Sequence, residues 1–148
     1  MIEYQIIHYA ENFLRVPYKW GGDDPIHGFD CSGLVTECFQ ALGVIKHGRD
    51  YNAQGIYNLV KPYDLENVGN PGALAFFGEN LVSIIHVGIC MDDKLMIEAG
   101  GGGRDVNGYL KAAERNAFVR IRPIKYRKDF LCIVRPDYDR IIQDSGGN

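Results

Sequence analysis

An α+β fold, with N-terminal helices packed on a C-terminal antiparallel β-sheet, is the architecture this sequence predicts, on three observations. Apolar residues recur at helical spacing through the first half of the chain. After Asn70-Pro71-Gly72 they gather instead into short runs, and those runs follow one another without a helical pattern between them. Helices first and consecutive strands afterwards put the strands in an antiparallel sheet with one face covered by the helices.

Ile2, Ile6, Tyr9 and Phe13 follow i, i+4, i+7, i+11 spacing, which predicts a helix over residues 2–14 that stops before Pro17. The loop PYKWGGDDPIHG follows, rich in Gly, Asp and Pro. Cys31, Leu34, Val35, Cys38 and Leu42 form a second helical stripe, with Asp30 placed as N-cap and Gly43 as the stop. A third, shorter helix is expected near residues 52–60. Strands are expected at 73–77, 83–90, 94–99, 117–124 and 129–135, and Pro123 puts its strand at a sheet edge or at its own end. The whole chain reads as a single domain, 1–148, with a helical half to about residue 70, a sheet half over about 71–140 and a short polar tail.

Composition narrows the function classes. With 148 residues, 46% of them hydrophobic, the chain can bury one core, and a net charge of −3 is the wrong sign for a nucleic-acid partner. MIEYQIIHYAENFL has neither a basic n-region nor an uninterrupted apolar h-region, and no run approaches 18 apolar residues. The expectation is therefore a protein synthesised in the cytoplasm without a signal peptide and with no membrane partner. Any action outside the cell then requires lysis or incorporation into a larger particle. Cysteines at 31, 38, 90 and 132 lack CxxC pairing and close histidines, so neither a metal nor a cofactor is expected.

Cys31 is the candidate for chemistry. It sits in the first turn of its helix, where unpaired N–H groups and the macrodipole favour a thiolate, whereas Cys38, Cys90 and Cys132 read as small core hydrophobes. A nucleophilic thiol needs a base. His8 and His47 read as surface residues, His27 is a loop residue four positions before Cys31, and His86 interrupts the apolar strand SIIHVGIC. A polar ring there needs a partner or a purpose. Alternation puts Ile84, His86, Gly88 and Cys90 on one face, and Met96 with Glu98 on one face of the next strand. A three-residue loop at Met91, Asp92 and Asp93 sets His86 opposite Glu98; a two-residue loop at Asp92 and Asp93 would turn Glu98 away.

PYKWGG at 17–22, FDCSGLV at 29–35, PGALAFF at 71–77 and HVGIC at 86–90, taken in that order, resemble the signature blocks of the NlpC/P60 family of bacterial cysteine peptidases. GGDDP before the cysteine and GGGG at 100–103 resemble compact versions carried by phages and prophages. The resemblance implies a papain-like fold and hydrolysis of peptidoglycan stem peptides, typically between γ-D-glutamate and the following diamino acid. It further implies Cys31 as nucleophile, His86 as base and Tyr18 as a helper of the oxyanion beside the Cys31 N–H. Glu98 stands where the family places a third polar residue, often His, Asn or Gln, and Ala73 stands where many members have Asp. By the same resemblance Asp30 and Ser32 match positions that receive the free amine of a stem peptide in wall-recycling members, and Trp20 joins them as a substrate-binding candidate. The partner implied is a bacterial peptidoglycan peptide, with phage tail or lysis components as possible associates.

Plainer readings stand beside these. Tyr18 and Trp20 can cap the core, Asp30 can serve only as a helix cap, and Arg120, Arg122, Lys125, Arg127 and Lys128 read as a solvated strand face. The glycine run with Arg104 reads as a lid or a long turn. Two other function classes use the same architecture: an amidase or acyltransferase, and a catalytically silent tail module.

Overall fold

The computed structural model describes residues 1–66 and 69–146. Helix α1 (Ile2–Glu11) buries Ile6, Ile7 and Ala10. It ends three residues before the expected stop because the chain turns back at Arg15, whose φ is 76°, and runs along the sheet as Arg15 N–H donates to Val119 O and Val119 N–H to Val16 O. The Gly-rich loop that follows is not irregular. It carries a two-strand ribbon, β1 (Asp23–Asp24) and β2 (Gly28–Phe29).

Helix α2 (Cys31–Ala41) starts where a side chain starts it: Asp30 Oδ1 accepts the Gly33 N–H at 2.7 Å. Such a cap stabilises a helix by about 1 kcal/mol. At its other end Gly43 takes φ of 74°, the left-handed conformation that terminates helices. Helix α3 (Ala53–Val60) uses the same device, with Asn52 accepting from Gly55 N–H at 2.7 Å.

The second half builds β3 (Leu74–Asn80), β4 (Ser83–Cys90), β5 (Leu95–Gly100), β6 (Phe118–Pro123) and β7 (Phe130–Val134) into one antiparallel sheet of order β6-β5-β4-β3-β7. β6 is an edge strand that ends at Pro123, as the proline requires. One sheet face packs Leu74, Phe76, Val87, Ile89, Ile97 and Ala99 against the helices. The other face closes over Ala75, Phe77, Cys90, Met96 and Ile124.

Four differences from the sequence reading have physical causes. The β4–β5 loop is Asp92–Lys94 rather than 91–93, because Asp92 Oδ1 accepts the N–H groups of Lys94 and Leu95 at 2.7 and 2.8 Å and so starts the turn one residue later. Register moves by two, giving Cys90↔Met96 and Ile89↔Ile97, and a shift of two leaves every side chain on its expected face. Second, Ile84 leaves the face of His86. Pairing runs Phe77↔His86 and then Gly78↔Ile84, so Ile85 is the extra residue of a bulge and Ile84 joins the helix-side core. Third, α4 (Tyr109–Arg115) fills the connection between β5 and β6. Fourth, the segment read as a polar tail folds as α5 (Tyr138–Gly146), anchored by buried Tyr138 and Ile141; the Tyr138 hydroxyl donates to Gly72 O at 2.6 Å.

Candidate active site

Cys31 opens α2, and β4 brings His86 to it. The Cys31 Sγ lies 3.8 Å from the carbonyl oxygen of Ile85, the bulged residue. The bulge is held from the helical side, where Gln54 Oε1 accepts the Ile84 N–H at 2.9 Å and Gln54 Nε2 donates to Leu81 O at 3.0 Å. Extra twist at a bulge re-aims the adjoining side chain, and here that side chain is His86.

His86 is 5% exposed and Glu98 is fully buried. Glu98 Oε1 accepts from His86 Nε2 at 2.9 Å, which leaves Nδ1 as the ring nitrogen for the Cys31 thiol. The two residues are diagonal neighbours across β4 and β5, within reach of long side chains. Phe77, directly opposite His86, packs its ring 5.3 Å away. Burial works against a charged imidazole, but hydrogen bonds and charge from Cys31 and Glu98 outweigh it and lift the His86 pKa to about 9. Burial also opposes the Glu98 anion. The partners His86, Tyr126 and Arg120 prevail and hold its pKa below the usual carboxylate range. Both shifts favour the charged forms of this buried pair.

Tyr18 is 6% exposed and lines the same cleft as Cys31 and His86. Burial, with the charges of Cys31 and Asp30, raises its pKa well above the ordinary tyrosine value, so the phenol keeps its proton. The cleft, of about 560 Å³, is also lined by Trp20, Asp30, Ser32, Ile85, the glycine run and Arg104. Trp20 is half exposed, with the Arg104 guanidinium 5.6 Å from its ring centroid. Asp30 reaches the cleft with its oxygens already engaged: Gly21 N–H donates to Oδ2 at 2.9 Å, and Gly33 N–H and the Ser32 hydroxyl donate to Oδ1 at 2.7 and 3.2 Å. His27 stays out, exposed and paired with Asp24 at 3.1 Å, and His8 and His47 are on the surface.

The glycine run is a packed wall and not a loose lid. A Cβ on Gly100 would fall 2.1 Å from Glu98 Oε2, and one on Gly102 would fall 2.2 Å from the Tyr18 ring. These two side chains occupy the space that Cβ atoms would take. Gly102→Ala should therefore displace Tyr18, lowering kcat/KM by roughly tenfold and costing on the order of 1–3 kcal/mol of stability, the usual range for overpacking. Gly103→Ala is the matched control, since its Cβ would meet only Asp105 Oδ1, at 3.6 Å. Equal kinetics and equal Tm for the two variants would remove the wall from the site.

Comparison with known proteins now bears on this geometry. The NlpC/P60 family profile matches residues 15–123, most of the chain, including Tyr18, Cys31, His86 and Glu98. The chain belongs to the NlpC/P60 family. It is 32% identical over 107 residues to the gamma-DL-glutamyl hydrolase of Bacillus subtilis, aligning 71% of this chain with 25% of that protein. It is 34% identical over 111 residues to the bifunctional muramidase/DL-endopeptidase CwlT of the same organism, 74% of this chain and 32% of that one. The chain thus spans a third or less of these two relatives. Among solved structures, the peptidoglycan hydrolase RipB of Mycobacterium tuberculosis superimposes with a TM-score of 0.63 at 25% identity, covering 90% of this chain and 63% of that one.

Glu98 has two further partners, Arg120, which the sequence reading left on a solvated strand face, and Tyr126, which it did not single out. Arg120 stands opposite Glu98 in the β5–β6 register, with Nε 3.4 Å from Oε2. Tyr126, in the 3₁₀ turn after Pro123, donates its hydroxyl to Glu98 Oε1 at 2.9 Å. Arg122 covers the Tyr126 ring at 3.9 Å, and Arg127 is clamped by Asp129 at 2.8 Å through two nitrogens. The basic set is thus largely structured around the site. Only the parity of β6 against β5 could have signalled Arg120, and nothing local signals Tyr126. No described helix is long and apolar enough to cross a membrane.

Proposed function

We propose that this domain hydrolyses an amide bond of bacterial peptidoglycan stem peptides, at the γ-D-glutamyl to diamino acid junction. The observation that carries the proposal is the buried His86–Glu98 pair at 2.9 Å, set beside a helix-start cysteine in an open-mouthed cleft. The names of the two Bacillus relatives, a gamma-DL-glutamyl hydrolase and a DL-endopeptidase, support this choice of bond.

The chemistry follows from the side chains. The Cys31 thiolate attacks the γ-carbonyl, and the oxyanion is met by the Tyr18 hydroxyl and the Cys31 N–H at the positive end of α2. His86, protonated and oriented by Glu98, gives its proton to the leaving amine as the C–N bond breaks, leaving a thioester. Neutral His86 then takes a proton from water, hydroxide adds to the thioester carbonyl, and the thiolate departs. A stem peptide carries carboxylates, and Arg104 over Trp20 offers a cation at the cleft wall.

Asp30 already serves Gly21, Gly33 and Ser32, so a free amine is not needed to satisfy it. We therefore infer action on wall-attached stems, delivered by lysis or a phage particle, over recycling of free peptides. Purified sacculi incubated with the protein should release products ending in γ-D-glutamate by mass analysis, and acylating the L-alanine amine of a soluble stem peptide should not prevent cleavage. Free glycan with intact stems would instead identify an amidase. Cleavage confined to free-amine peptides would make Asp30 and Ser32 an amine pocket and restore the recycling reading.

A further inference from the structure

The fully buried Glu98 carboxylate is surrounded by donors from three different elements. His86 comes from β4, Arg120 from β6 and Tyr126 from the turn beyond β6. A buried carboxylate without such partners would either take up a proton or swing towards water. Oε1 accepts two hydrogen bonds, from His86 and Tyr126, both at 2.9 Å, and Oε2 faces Arg120 Nε at 3.4 Å, so both oxygens are directed. The space that permits this orientation is the missing Cβ of Gly100. Tyr126 is itself fixed, by the Arg122 guanidinium stacked 3.9 Å above its ring and by the 3₁₀ turn that Pro123 introduces.

We propose that Tyr126 and Arg120 are positioning residues, which hold Glu98 as an anion aimed at His86 Nε2 and thereby keep the other ring nitrogen turned to Cys31. Tyr126 supplies direction, through a donor that only an acceptor oxygen at Oε1 can satisfy. Arg120 supplies charge. Neither touches the reacting atoms, so their loss should alter the state of the Cys31–His86 couple without altering substrate affinity. The proposal rests on Cys31 being the nucleophile of the proposed hydrolase, but its main readout does not require the substrate to be right.

That readout is the rate at which iodoacetamide alkylates Cys31 as a function of pH, with modification at Cys31 quantified by peptide mass analysis. Thiolate persisting into mildly acidic solution is the signature of a thiolate–imidazolium pair. The charged and titratable groups around the pair are Cys31 on α2, Tyr18 and Asp30 in the loop before α2, Glu98 on β5, Arg120 on β6, Tyr126 in the turn, and Arg127 and Asp129 beyond it. Tyr126→Phe removes one oxygen and keeps the ring under Arg122, and Arg120→Gln removes the charge. Each should lower the alkylation rate at about pH 6 by roughly tenfold relative to wild type, with near-wild-type rates at alkaline pH. Lys125→Gln removes a charge from the same collar at a residue packed on Phe130, and should leave the profile unchanged.

On sacculi, Tyr126→Phe should lower kcat with little change in KM. If Tyr126→Phe and Arg120→Gln both keep the wild-type alkylation profile, the positioning role is wrong, whatever their hydrolytic rates. An acid-side loss in folded Tyr126→Phe protein, together with wild-type protein that leaves sacculi intact, would uphold the positioning role and overturn the substrate assignment instead.

Discussion

Alanine in place of Cys31 or of His86 is expected to abolish hydrolysis of peptidoglycan while the protein stays folded, with a loss of at least about 10³-fold in kcat for each and little further loss in the double variant. Non-additivity is expected because the proposed mechanism uses Cys31 and His86 as one unit. Removing either leaves the oxyanion donors and the cleft, which retain only a residual rate. The fold tolerates both changes for different reasons. Cys31 is a buried residue of the cleft lining, where a lost sulfur opens onto the cleft and not into a sealed cavity, and His86 Nε2 is one of three donors to Glu98, so Tyr126 and Arg120 still hold the carboxylate. The opposite result is expected for Cys38→Ser and Cys90→Ser. Both sites are fully buried, and burial raises both thiol pKa values, that of Cys90 to about 12, so a hydroxyl there should lower Tm and spare the chemistry. Circular dichroism and turnover measured on the same preparations separate the two classes, and full activity in pure Cys31→Ala protein would end the nucleophile assignment.

The contrast between the four cysteines shows what the sequence made legible. Cys31, Cys38, Cys90 and Cys132 are the same residue type, and helix position together with loop context separated one from three, because a cap such as Asp30 and a stop such as Gly43 are local signals. Strand faces were legible for the same reason: alternation is local, and displacing the β4–β5 loop by one residue, which moves the register by two, changed no side chain's face. The bulge at Ile85 was not legible. Inserting one residue leaves alternation intact along the strand and is visible only against the pairing of β3 with β4. Arg120 escaped because a charged side chain on an edge strand looks solvated until a buried acid is known to lie beside it, and Tyr126 because it reaches that acid from a turn outside the sheet. Helix α4, seven residues with one buried position, prints no period, whereas in α5 Tyr138, Ile141 and Ile142 do stand at i, i+3, i+4, a stripe too short to outweigh the polar residues around it.

Glu98 carries the second large effect, and its neighbours predict how two substitutions will differ. Glu98→Ala removes the anion from His86 and leaves the ring facing Tyr126 and Arg120, both donors. With the Glu98 contribution gone and only Cys31 left to oppose it, burial, the strongest influence on this ring, lowers its pKa from about 9. A loss of about 10²–10³-fold in kcat is expected, with the alkaline limb of the pH profile displaced towards acid by more than about one unit. Glu98→Gln should be milder, at about tenfold, because Tyr126 decides which way the amide sits. Its hydroxyl needs an acceptor at the Oε1 position, so the amide oxygen faces both Tyr126 and His86 Nε2–H and preserves the working tautomer, while the amide nitrogen turns to Arg120 and meets a donor. Stability follows the same charges. The His86 pKa is raised, so its contribution is complete below the ordinary value near 6.5 and is lost as pH climbs through about 9. The Glu98 pKa is lowered, so its contribution is complete above the usual carboxylate range and is lost only as acid reaches its folded value. Wild-type protein should therefore lose Tm between about pH 7 and 9 through this pair, and Glu98→Gln should flatten that slope. Equal kinetics for the Gln and Ala variants would show that Tyr126 does not orient the side chain at position 98.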